Sequence, residues 1–545
     1  MALPGFVPWP EEAARRYAET GCWRGRPLGD LLAEAAVTHG TRTALVDGDL
    51  RLGYRELAGR ADRLAGRLAA LGLRRGDAVL TQLPNSAEHV TFLFACLRLG
   101  VLPVQALPAH REHELAHLAE LADVRAVATV DRFRGFDHQE LAARVAGKRP
   151  DPCPVLVFGD DVAPEHADLR RAPDGPLPTG GPRPGDVALF LLSGGSTGLP
   201  KLIARTHDDY AYNVLQSARV CGFGPGTVYL AALPMAHNFA LGCPGVLGTL
   251  AVGGRVVLAP SPQPERAFEL IERERVTVTA LVPAVLSRWL DHAGPAGPPA
   301  LDCVQVGGSV LPPALAEEAM ARLGPLQQVF GMAEGLINCT RPGDPPEVLT
   351  RTQGRPISPY DETKIVDARG NPVADGDAGE LLTRGPYTIR GYFNAPAHNA
   401  RSFTRDGWYR TGDLVRRHPS GNFVVEGRIK DVINRGGEKI AAEEVESLVR
   451  ALPAVREVSA IAVPDPDLGE RVCVCVVLEP GATLDLGDVR AAFARRDTAR
   501  FKMPERLEIF GAFPRTPVGK TDKPALRALV AARAPATEKG EAHAV

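Results

Sequence analysis

The stretch Leu192-Ser-Gly-Gly-Ser-Thr-Gly-Leu-Pro-Lys201 decides how this chain is interpreted. The unbroken apolar run over residues 187–192 leads into it and is typical of a buried strand. Glycines allow successive backbone N–H groups to turn toward one centre, and Ser193, Ser196 and Thr197 add side-chain hydroxyl groups. The stretch therefore predicts a loop that binds a polyphosphate, and a flexible surface turn is the alternative from these residues alone.

The loop differs from the Walker A motif of P-loop proteins. Pro200 precedes Lys201, and Leu202 stands where that motif requires a Ser or Thr to bind magnesium. An ordinary P-loop NTPase or kinase is therefore disfavoured, and the phosphate-binding function has to be sought in another class of enzyme.

Length and composition narrow the class of protein. A chain of 545 residues predicts two or three domains. With 45% hydrophobic and 23% charged residues and a net charge of −2, recognition of a nucleic acid or a membrane through bulk charge is not expected. No apolar run is long enough to span a membrane, and the first residues lack the basic and apolar segments of a signal peptide. We expect a cytoplasmic protein.

The nine cysteines are scattered and do not form a recognisable site. Cys473 and Cys475 are two residues apart in a strand-like run, so their side chains share one face of the strand. A metal knuckle or a redox pair would need a turn between them. Free thiols in a reducing compartment are the expectation.

Strand and helix patterns alternate along most of the chain. Helices are predicted at 54–71, 88–99 and 265–273, and strands at 78–83, 228–233, 255–258, 276–281, 303–306 and 327–330. Such alternation predicts an α/β fold in which parallel strands are joined by helical crossovers. Short strands and turns after Ile357 predict a compact β region. A helix at 441–452 and strands at 458–463 and 472–478 predict a small α+β domain at the end of the chain.

Five further motifs have an ordinary structural explanation when each is taken alone. In chain order, these explanations are a capped turn with a satisfied histidine, a tight turn after a strand, a salt-bridged glutamate, an Asp-capped turn and a solvated basic loop. The motifs are Ala236-His-Asn238, Val306-Gly-Gly-Ser309, Phe330-Gly-Met-Ala-Glu-Gly335, Tyr409-Arg-Thr-Gly-Asp413 and Arg515-Thr-Pro-Val-Gly-Lys520.

Together, and in this order, the motifs resemble the adenylate-forming superfamily from about Gly5 to Ala531. At closer range the chain is similar to the freestanding aryl-acid adenylating enzymes of siderophore-type pathways. The segments that carry this closer resemblance are Phe6-Val-Pro-Trp-Pro10, Gly21-Cys-Trp23, Thr206-His-Asp-Asp-Tyr210, Leu233-Pro-Met-Ala-His-Asn238 and Arg384-Gly-Pro-Tyr-Thr-Ile-Arg-Gly-Tyr392.

The resemblance implies a domain organisation. A large N-terminal domain, residues 1–428, would contain two doubly wound αβαβα subdomains and the β region. A hinge at 429–432, centred on Lys430, would join it to a small mobile α+β domain at 433–535, and residues 536–545 would form a disordered tail. Gly436 and Gly437 would line the face that admits a thiol after the small domain rotates.

The resemblance also implies roles for individual residues. The phosphate loop would consist of Ser193, Gly194, Gly195, Ser196, Thr197, Gly198 and Lys201, and Glu334 would bind Mg²⁺. The nucleotide would contact Gly307, Gly308, Ser309, Phe330, Gly331, Met332, Ala333, Asp413 and Arg428. The aryl acid would contact His237, Asn238, Phe239, Cys243, Gly308, Gly331 and Ile337, and the catalytic residues would be Lys520 and His237.

The chemistry explains why these residue types are needed. A carboxylate attacks the α-phosphorus of ATP and pyrophosphate leaves, so two anions must be aligned and their charge neutralised. We expect Lys520 to bridge the carboxylate and the α-phosphate, with ATP and Mg²⁺ as cofactors. The aryl group would then pass to the phosphopantetheine thiol of an aryl carrier protein, which has to be a separate protein because no carrier segment follows in this chain. An aryl-CoA ligase and a non-catalytic binding protein are the alternatives.

Three side chains suggest which acid is activated. The amide of Asn238 can pair with an ortho hydroxyl or the carboxylate, which favours a 2-hydroxybenzoate. Cys243 stands where dihydroxybenzoate-activating members have serine, and Ile337 replaces their smaller valine. Both changes favour a smaller, less polar ring, so salicylate is expected, ahead of 2,3-dihydroxybenzoate and a methylsalicylate. The hydroxyl of Ser309, where alanine is expected, is the feature that favours a further polar substituent.

Overall fold

The computed structural model describes residues 3–193, 199–293, 301–428, 432–514 and 521–533. The described residues up to 428 form one compact unit and those from 432 form a second. Each unit has its own sheets and its own buried apolar clusters. None of the described helices is both long enough and apolar enough to cross a lipid bilayer.

The first unit contains most of the regular structure. Its strands are β1 (Thr43–Asp47), β2 (Leu50–Gly53), β3 (Ala78–Gln82), β4 (Leu102–Gln105), β5 (Ala126–Val130), β6 (Arg132–Phe133), β7 (Phe136–Asp137), β8 (Val155–Phe158), β9 (Ala167–Asp168), β10 (Val187–Leu192), β11 (Leu202–Thr206), β12 (Val228–Ala231), β13 (Arg255–Leu258), β14 (Val278–Leu281), β15 (Cys303–Gly307), β16 (Leu326–Gly331), β17 (Ile337–Cys339), β18 (Arg355–Pro356), β19 (Glu362–Val366), β20 (Gly379–Arg384), β21 (Tyr409–Arg417) and β22 (Phe423–Arg428). Its helices are α1 (Glu11–Glu19), α2 (Asp30–His39), α3 (Tyr54–Ala70), α4 (Ala87–Leu99), α5 (Glu112–Leu121), α6 (His138–Gly147), α7 (His207–Val220), α8 (Asn238–Gly242), α9 (Gly245–Ala251), α10 (Pro264–Glu274), α11 (Pro283–Ala293), α12 (Pro313–Arg322), α13 (Pro346–Arg351) and α14 (Pro396–Ser402).

Two large sheets of the first unit are parallel in their centres. One has the strand order β18-β17-β16-β15-β14-β12-β13-β1-β2, and the other has the order β11-β10-β4-β3-β5-β8-β9. In the first sheet, β1 and β12 to β16 pair in parallel, whereas β2, β17 and β18 at its edges are antiparallel. In the second, the edge strand β11 is antiparallel to β10. The switch of direction at the edges lets the chain return in a short connection.

Both faces of each large sheet are covered. Neighbouring strand residues alternate between two apolar clusters: Tyr229 and Val256 belong to one, and Leu230 and Val257 to the other. In the second sheet, Leu80 and Val79 are divided between two clusters in the same way. A near-continuous run of buried residues along each strand is what a sheet with helices on both faces requires. The predicted doubly wound α/β architecture is confirmed.

A third sheet forms the β region of the first unit, with the strand order β19-β20-β21-β22, all antiparallel. Leu381, Val415 and Phe423 from this sheet pack against Leu336, which precedes β17. The β region is thereby fixed to the loop between β16 and β17. The short strands β6 and β7 pair with each other as a separate ribbon.

The amino-terminal arm packs against the same β region. Trp9, Tyr17 and Cys22 form a buried cluster, and Trp23 packs against it. The indole of Trp23 donates a hydrogen bond to the carbonyl of Pro386, 2.9 Å away. The arm is a structural support for the segment that leads to Tyr392.

The second unit is a small α+β structure. Its strands are β23 (Val432–Arg435), β24 (Glu438–Ala441), β25 (Val455–Asp465), β26 (Gly469–Leu478) and β27 (Arg506–Ile509), and its helices are α15 (Ala442–Arg450), α16 (Leu486–Arg495) and α17 (Lys523–Ala531). Cys473 and Cys475 are buried on one face of β26, as the spacing predicted. The expected helix at 441–452 and strands at 458–463 and 472–478 are present, with β25 extended at both ends.

Candidate active site

The phosphate loop connects two paired strands. Leu192 at the end of β10 lies opposite Leu202 at the start of β11. The N–H of Ser193 donates to the carbonyl of Lys201 at 3.0 Å, and the N–H of Lys201 donates to the hydroxyl of Ser193 at 3.3 Å. These bonds hold the two ends of the loop together. Gly194, Gly195, Ser196, Thr197 and Gly198 lie outside the described residues.

Asn85 fixes the backbone of the loop that enters the predicted acid pocket. Its side-chain amide donates to the carbonyls of Ala231 and Leu233, at 3.0 and 2.9 Å. Its carbonyl oxygen accepts the N–H of Met235 at 2.8 Å. The expected strand at 228–233 ends earlier, at Ala231, and the backbone groups of Leu233 and Met235 beyond it bind the Asn85 side chain. The half-buried His237 follows and precedes α8.

The predicted pocket residues come together after this loop. Cys243 and Ile337 are buried in one apolar cluster, with Phe239 packed against them. A Cβ atom on Gly307 would lie 2.5 Å from the carbonyl oxygen of Val329 and 3.3 Å from the ring of Phe239. Only glycine leaves that space open. Gly331 lies directly opposite Ile337 in the pairing of β16 with β17.

Asn238, at the start of α8, is held from both sides. Tyr210 donates its hydroxyl hydrogen to the Asn238 side-chain carbonyl at 2.7 Å. The amide nitrogen of Asn238 donates to the sulfur of Cys243 at 3.2 Å. Burial raises the pKa of the Tyr210 hydroxyl well above its usual value, so this group remains a donor at neutral pH.

The residues predicted to surround the nucleotide follow β15 and β16. Gly308 has a positive φ of 87° and is exposed together with Ser309. The side chain of Phe330 is partly buried and packs against the β region. Met332 and Ala333 are also partly buried, and they pack against the apolar cluster that contains Tyr229.

Gly335 closes the loop that contains these residues. Its φ is +112°, and a Cβ atom there would lie 2.2 Å from the carbonyl oxygen of Tyr387. A larger residue would displace the loop, so the position of the preceding Glu334 depends on this glycine.

Glu334 is the carboxylate predicted to bind metal, and only 8% of its surface is exposed. Tyr392 donates its hydroxyl hydrogen to one carboxylate oxygen of Glu334 at 2.7 Å, and the hydroxyls of Tyr392 and Tyr409 are 3.0 Å apart. The ammonium group of Lys201 lies 5.6 Å from the centre of the Tyr392 ring. The structure thus brings the end of the phosphate loop close to the metal-binding candidate.

Asp413 lies in β21, four residues after Tyr409, and is 2% exposed. Its N–H donates to the hydroxyl of Thr411 at 3.0 Å. Arg428 is its direct partner across the pairing of β21 with β22, although the side chain of Arg428 lies outside the described part of the structure. The two residues predicted to bind the ribose and phosphate are therefore neighbours in one sheet.

Arg205 is a residue of this region that the sequence analysis did not single out. It forms an ion pair with Asp209 at 2.7 Å, and both side chains are fully buried. The guanidinium also donates to the carbonyl of Ala333 at 2.9 Å and to that of Tyr387 at 3.2 Å. One cation thereby fixes the residue before Glu334 and the segment that supports Gly335.

Several residues of this region were not assigned a role from the sequence, and they differ in how far the local sequence indicates them. Asn85 follows a proline at the end of a predicted strand, a position at which polar site residues are common in α/β folds. Tyr392 and Tyr409 lie at the edges of motifs that were recognised, whereas a buried arginine in an otherwise apolar strand has no local signal. Arg205 is identifiable only from its contacts.

The remaining predicted residues belong to the end of the chain. Gly436 and Gly437 form the two-residue turn between β23 and β24, with positive φ values of 59° and 96°. This conformation is the one that a tight hairpin requires and that glycine adopts without strain. Lys430 and Lys520, the predicted hinge and catalytic lysine, lie outside the described residues, as do the predicted tail at 536–545 and residues 429–431 of the hinge.

The contribution of the Arg205–Asp209 ion pair to stability can be tested by mutation. Arg205→Met should lower the free energy of unfolding by about 3–5 kcal/mol, because Asp209 would remain buried as an unpaired charge. Urea denaturation of the full chain measures this loss. Arg60→Met is the matched control, since Arg60 pairs with Glu56 at the surface and an exposed pair contributes about 0–1 kcal/mol. Equal losses for the two variants would contradict the role of the buried pair.

Two protein-family models match this chain. The model of the AMP-binding enzyme family matches residues 32–393, and that of the AMP-binding enzyme C-terminal domain matches residues 444–520. A Streptomyces protein named salicylyl-CoA synthase / salicylate adenylyltransferase is 56% identical, with 99% of this chain and 100% of the relative covered. A 2,3-dihydroxybenzoate-AMP ligase of Bacillus subtilis is 49% identical, with 96% and 97% covered.

A solved structure gives the same result at the level of the fold. The apo structure of MbtA from Mycobacterium smegmatis has a TM-score of 0.76 and 46% sequence identity, with 96% of this chain and 99% of that chain covered. The family models match both units of the chain, and the relatives match it over almost its whole length. This chain belongs to the AMP-binding enzyme family, and it is an ATP-dependent ligase of the adenylate-forming type.

Proposed function

We propose that this enzyme activates salicylate with ATP, giving salicyl-AMP and pyrophosphate, and then transfers the salicyl group to a phosphopantetheine thiol. The observation that carries the proposal is the Asn238 amide, held by Tyr210 and Cys243 at the edge of an apolar cluster that contains Ile337. A single polar group beside buried apolar side chains suits an aromatic ring with one ortho hydroxyl.

In the first half-reaction the acid and ATP have to be aligned, and the negative charge of the carboxylate and the phosphates has to be neutralised. A carboxylate oxygen of salicylate attacks the α-phosphorus of ATP, the new O–P bond forms, and the bond from the α-phosphorus to pyrophosphate breaks. Lys201, beside Tyr392 and the phosphate loop, would neutralise phosphate charge. Asp413 would accept hydrogen bonds from the ribose hydroxyls, and Lys520 would bridge the carboxylate and the α-phosphate.

The donor groups fit a magnesium ion that is shared with the substrate. Among the described residues, no three His, Cys, Asp or Glu side chains are placed to hold a metal ion by themselves. Mg²⁺ is usually bound by one or two carboxylates together with substrate phosphates, and the buried Glu334 carboxylate can provide the protein ligand. The ion would neutralise charge on the phosphates as pyrophosphate leaves.

The second half-reaction replaces AMP by a thiol. The sulfur attacks the carbonyl carbon of salicyl-AMP, the C–O bond to AMP breaks, and the thiol gives up its proton. We propose that the small unit rotates about Lys430 between the two half-reactions, so that Gly436 and Gly437 face the thiol and Lys520 leaves the site. The two-glycine turn supports this proposal because its backbone has no side chains to obstruct a pantetheine arm.

Two sources of the thiol are consistent with this chemistry. The resemblance to freestanding aryl-acid adenylating enzymes favours an aryl carrier protein as the partner. Free coenzyme A carries the same phosphopantetheine arm, and the name of the Streptomyces relative favours it as the second candidate. We propose the carrier protein as the acceptor, in the cytoplasm, without a nucleic-acid or membrane partner.

An assay of aryl-acid-dependent ATP–pyrophosphate exchange tests the substrate. The expected order of kcat/KM is salicylate, then 2,3-dihydroxybenzoate and then a methylsalicylate. The apolar environment of Cys243 would leave a 3-hydroxyl poorly satisfied, at a cost of about 1–3 kcal/mol. A preference for 2,3-dihydroxybenzoate would contradict the choice of acid, and absence of exchange with every aryl acid would contradict the function. Thioester formation on a pantetheinylated carrier and on coenzyme A distinguishes the two acceptors.

Tyr392 generates a prediction about magnesium. Tyr392→Phe removes the hydroxyl that orients Glu334, and the loss of such an outer partner typically weakens metal binding about 10–100-fold. The Mg²⁺ concentration that gives half-maximal exchange should rise by about tenfold or more. Tyr229→Phe is the matched control, because this buried hydroxyl has no hydrogen-bond partner among the described residues. If the variant lost turnover without a change in Mg²⁺ dependence, the proposed role of Tyr392 would be wrong.

Lys520 generates a prediction that separates the two half-reactions. Lys520→Ala should slow adenylation by about 10²–10³-fold, because one preorganised charge is lost at the transition state. Transfer from supplied salicyl-AMP to the thiol should be largely unchanged. Single-turnover assays of each half-reaction measure the two rates, and normal adenylation by the variant would show that another group supplies the charge.

A further inference from the structure

The hydrogen bonds at Asn238 carry an inference that rests on the proposed function and concerns how the site selects its acid. A side-chain amide has two N–H donors on nitrogen and two lone pairs on oxygen. Tyr210 occupies one lone pair and Cys243 accepts one N–H. One donor and one acceptor of Asn238 therefore remain for the substrate.

Tyr210 is itself held rigidly. It is fully buried, and the guanidinium carbon of Arg205 lies 4.7 Å from the centre of its ring. Asp209, the ion-pair partner of Arg205, precedes Tyr210 in the first turn of α7. The N–H of Thr206 donates to Asp209 at 2.7 Å, which anchors the start of that helix. The Tyr210 hydroxyl is thus positioned by a buried ionic network.

The absence of a side chain on Gly242, at the end of α8, leaves space for the Tyr210 hydroxyl. A Cβ atom on Gly242 would lie 2.6 Å from the Tyr210 oxygen, so a larger residue there would displace the tyrosine. Asn213 donates to the carbonyl of Gly242 at 2.7 Å and fixes this end of the helix. The fixed backbone at Gly242 therefore limits where the Tyr210 hydroxyl can lie, and with it the distance from Tyr210 to Asn238.

We propose that Tyr210 is a positioning residue that determines specificity for an ortho-hydroxylated acid. It does so by fixing the orientation of the Asn238 amide, with Cys243 as the second support. A fixed amide presents its remaining donor and acceptor side by side. An ortho hydroxyl, which both donates and accepts, matches this pair, and the corresponding hydrogen of benzoate matches neither. Without Tyr210 the amide can rotate and the discrimination is lost.

Cys243 has a second role under this inference, in addition to the one expected from sequence. From sequence, the Cys243 thiol in place of a serine hydroxyl is expected to favour a less polar ring. In the structure its sulfur already accepts a hydrogen bond from Asn238. Cys243 thus acts on the 2-position through Asn238 as well as by its size.

The test compares salicylate with benzoate in the exchange assay on the full-length protein. Tyr210→Phe should lower the ratio of their kcat/KM values about tenfold, the effect of one hydrogen bond of ordinary strength, and most of the change should be in KM for salicylate. Equilibrium binding of salicylate, measured by calorimetry, should weaken by the same factor. Benzoate should be affected little.

The matched control is Tyr54→Phe. Tyr54 is also a fully buried tyrosine, but its hydroxyl donates to the carbonyls of Leu250 and Gly254, which are not among the pocket residues. It should leave the ratio unchanged even if stability falls. Should Tyr210→Phe fail to fold, Cys243→Ala tests the opposite side of the same amide and should also lower the ratio.

The outcomes separate this inference from the proposed function. If the wild-type protein prefers salicylate and Tyr210→Phe keeps that preference, the positioning role is wrong and the function stands. Equal use of salicylate and benzoate by the wild-type protein also overturns the inference. If no aryl acid supports exchange, the proposed function itself fails.

Discussion

The buried ion pair between Arg205 and Asp209 is the interaction on which the site depends. An unpaired charge in this position would be costly, so the two side chains have to stay together and every group that contacts them is fixed as well. Through Arg205 the pair holds the carbonyls of Ala333 and Tyr387. Through α7 it holds Tyr210. The same interaction therefore orders the side of the site that would bind metal and the side that would bind the acid.

Tyrosine hydroxyls extend this order toward the functional carboxylate and amide. Tyr210 contacts Asn238, and Tyr392 contacts Glu334 and Tyr409. Burial raises the pKa of both Tyr210 and Tyr392 well above the usual value, so their hydroxyls keep their protons. A protonated tyrosine can orient an acceptor without adding charge to it, which preserves the negative charge that a metal ligand needs.

Much of the fold follows from local sequence patterns, and the detail of the site does not. The apolar run that became β10 and the two-glycine turn between β23 and β24 are recognisable because strand burial and turn geometry depend on neighbouring residues. Motif order identified Glu334 and Asp413 as candidate site residues. The contacts of Tyr210 with Asn238, of Arg205 with Ala333 and of Asn85 with Met235 join residues 28, 128 and 150 positions apart. Such contacts depend on how whole elements pack, which no local pattern encodes.

The bridge made by Asn85 has a consequence for protein engineering. This side chain follows a strand of one large sheet and binds three backbone groups at and beyond the end of a strand of the other, so it joins the two sheets just before the predicted acid-binding residues. Directed evolution toward bulkier acids would have to enlarge the cavity without separating the sheets. Libraries that vary Phe239, Cys243 and Ile337 while leaving Asn85 unchanged would explore new substrates on an intact frame.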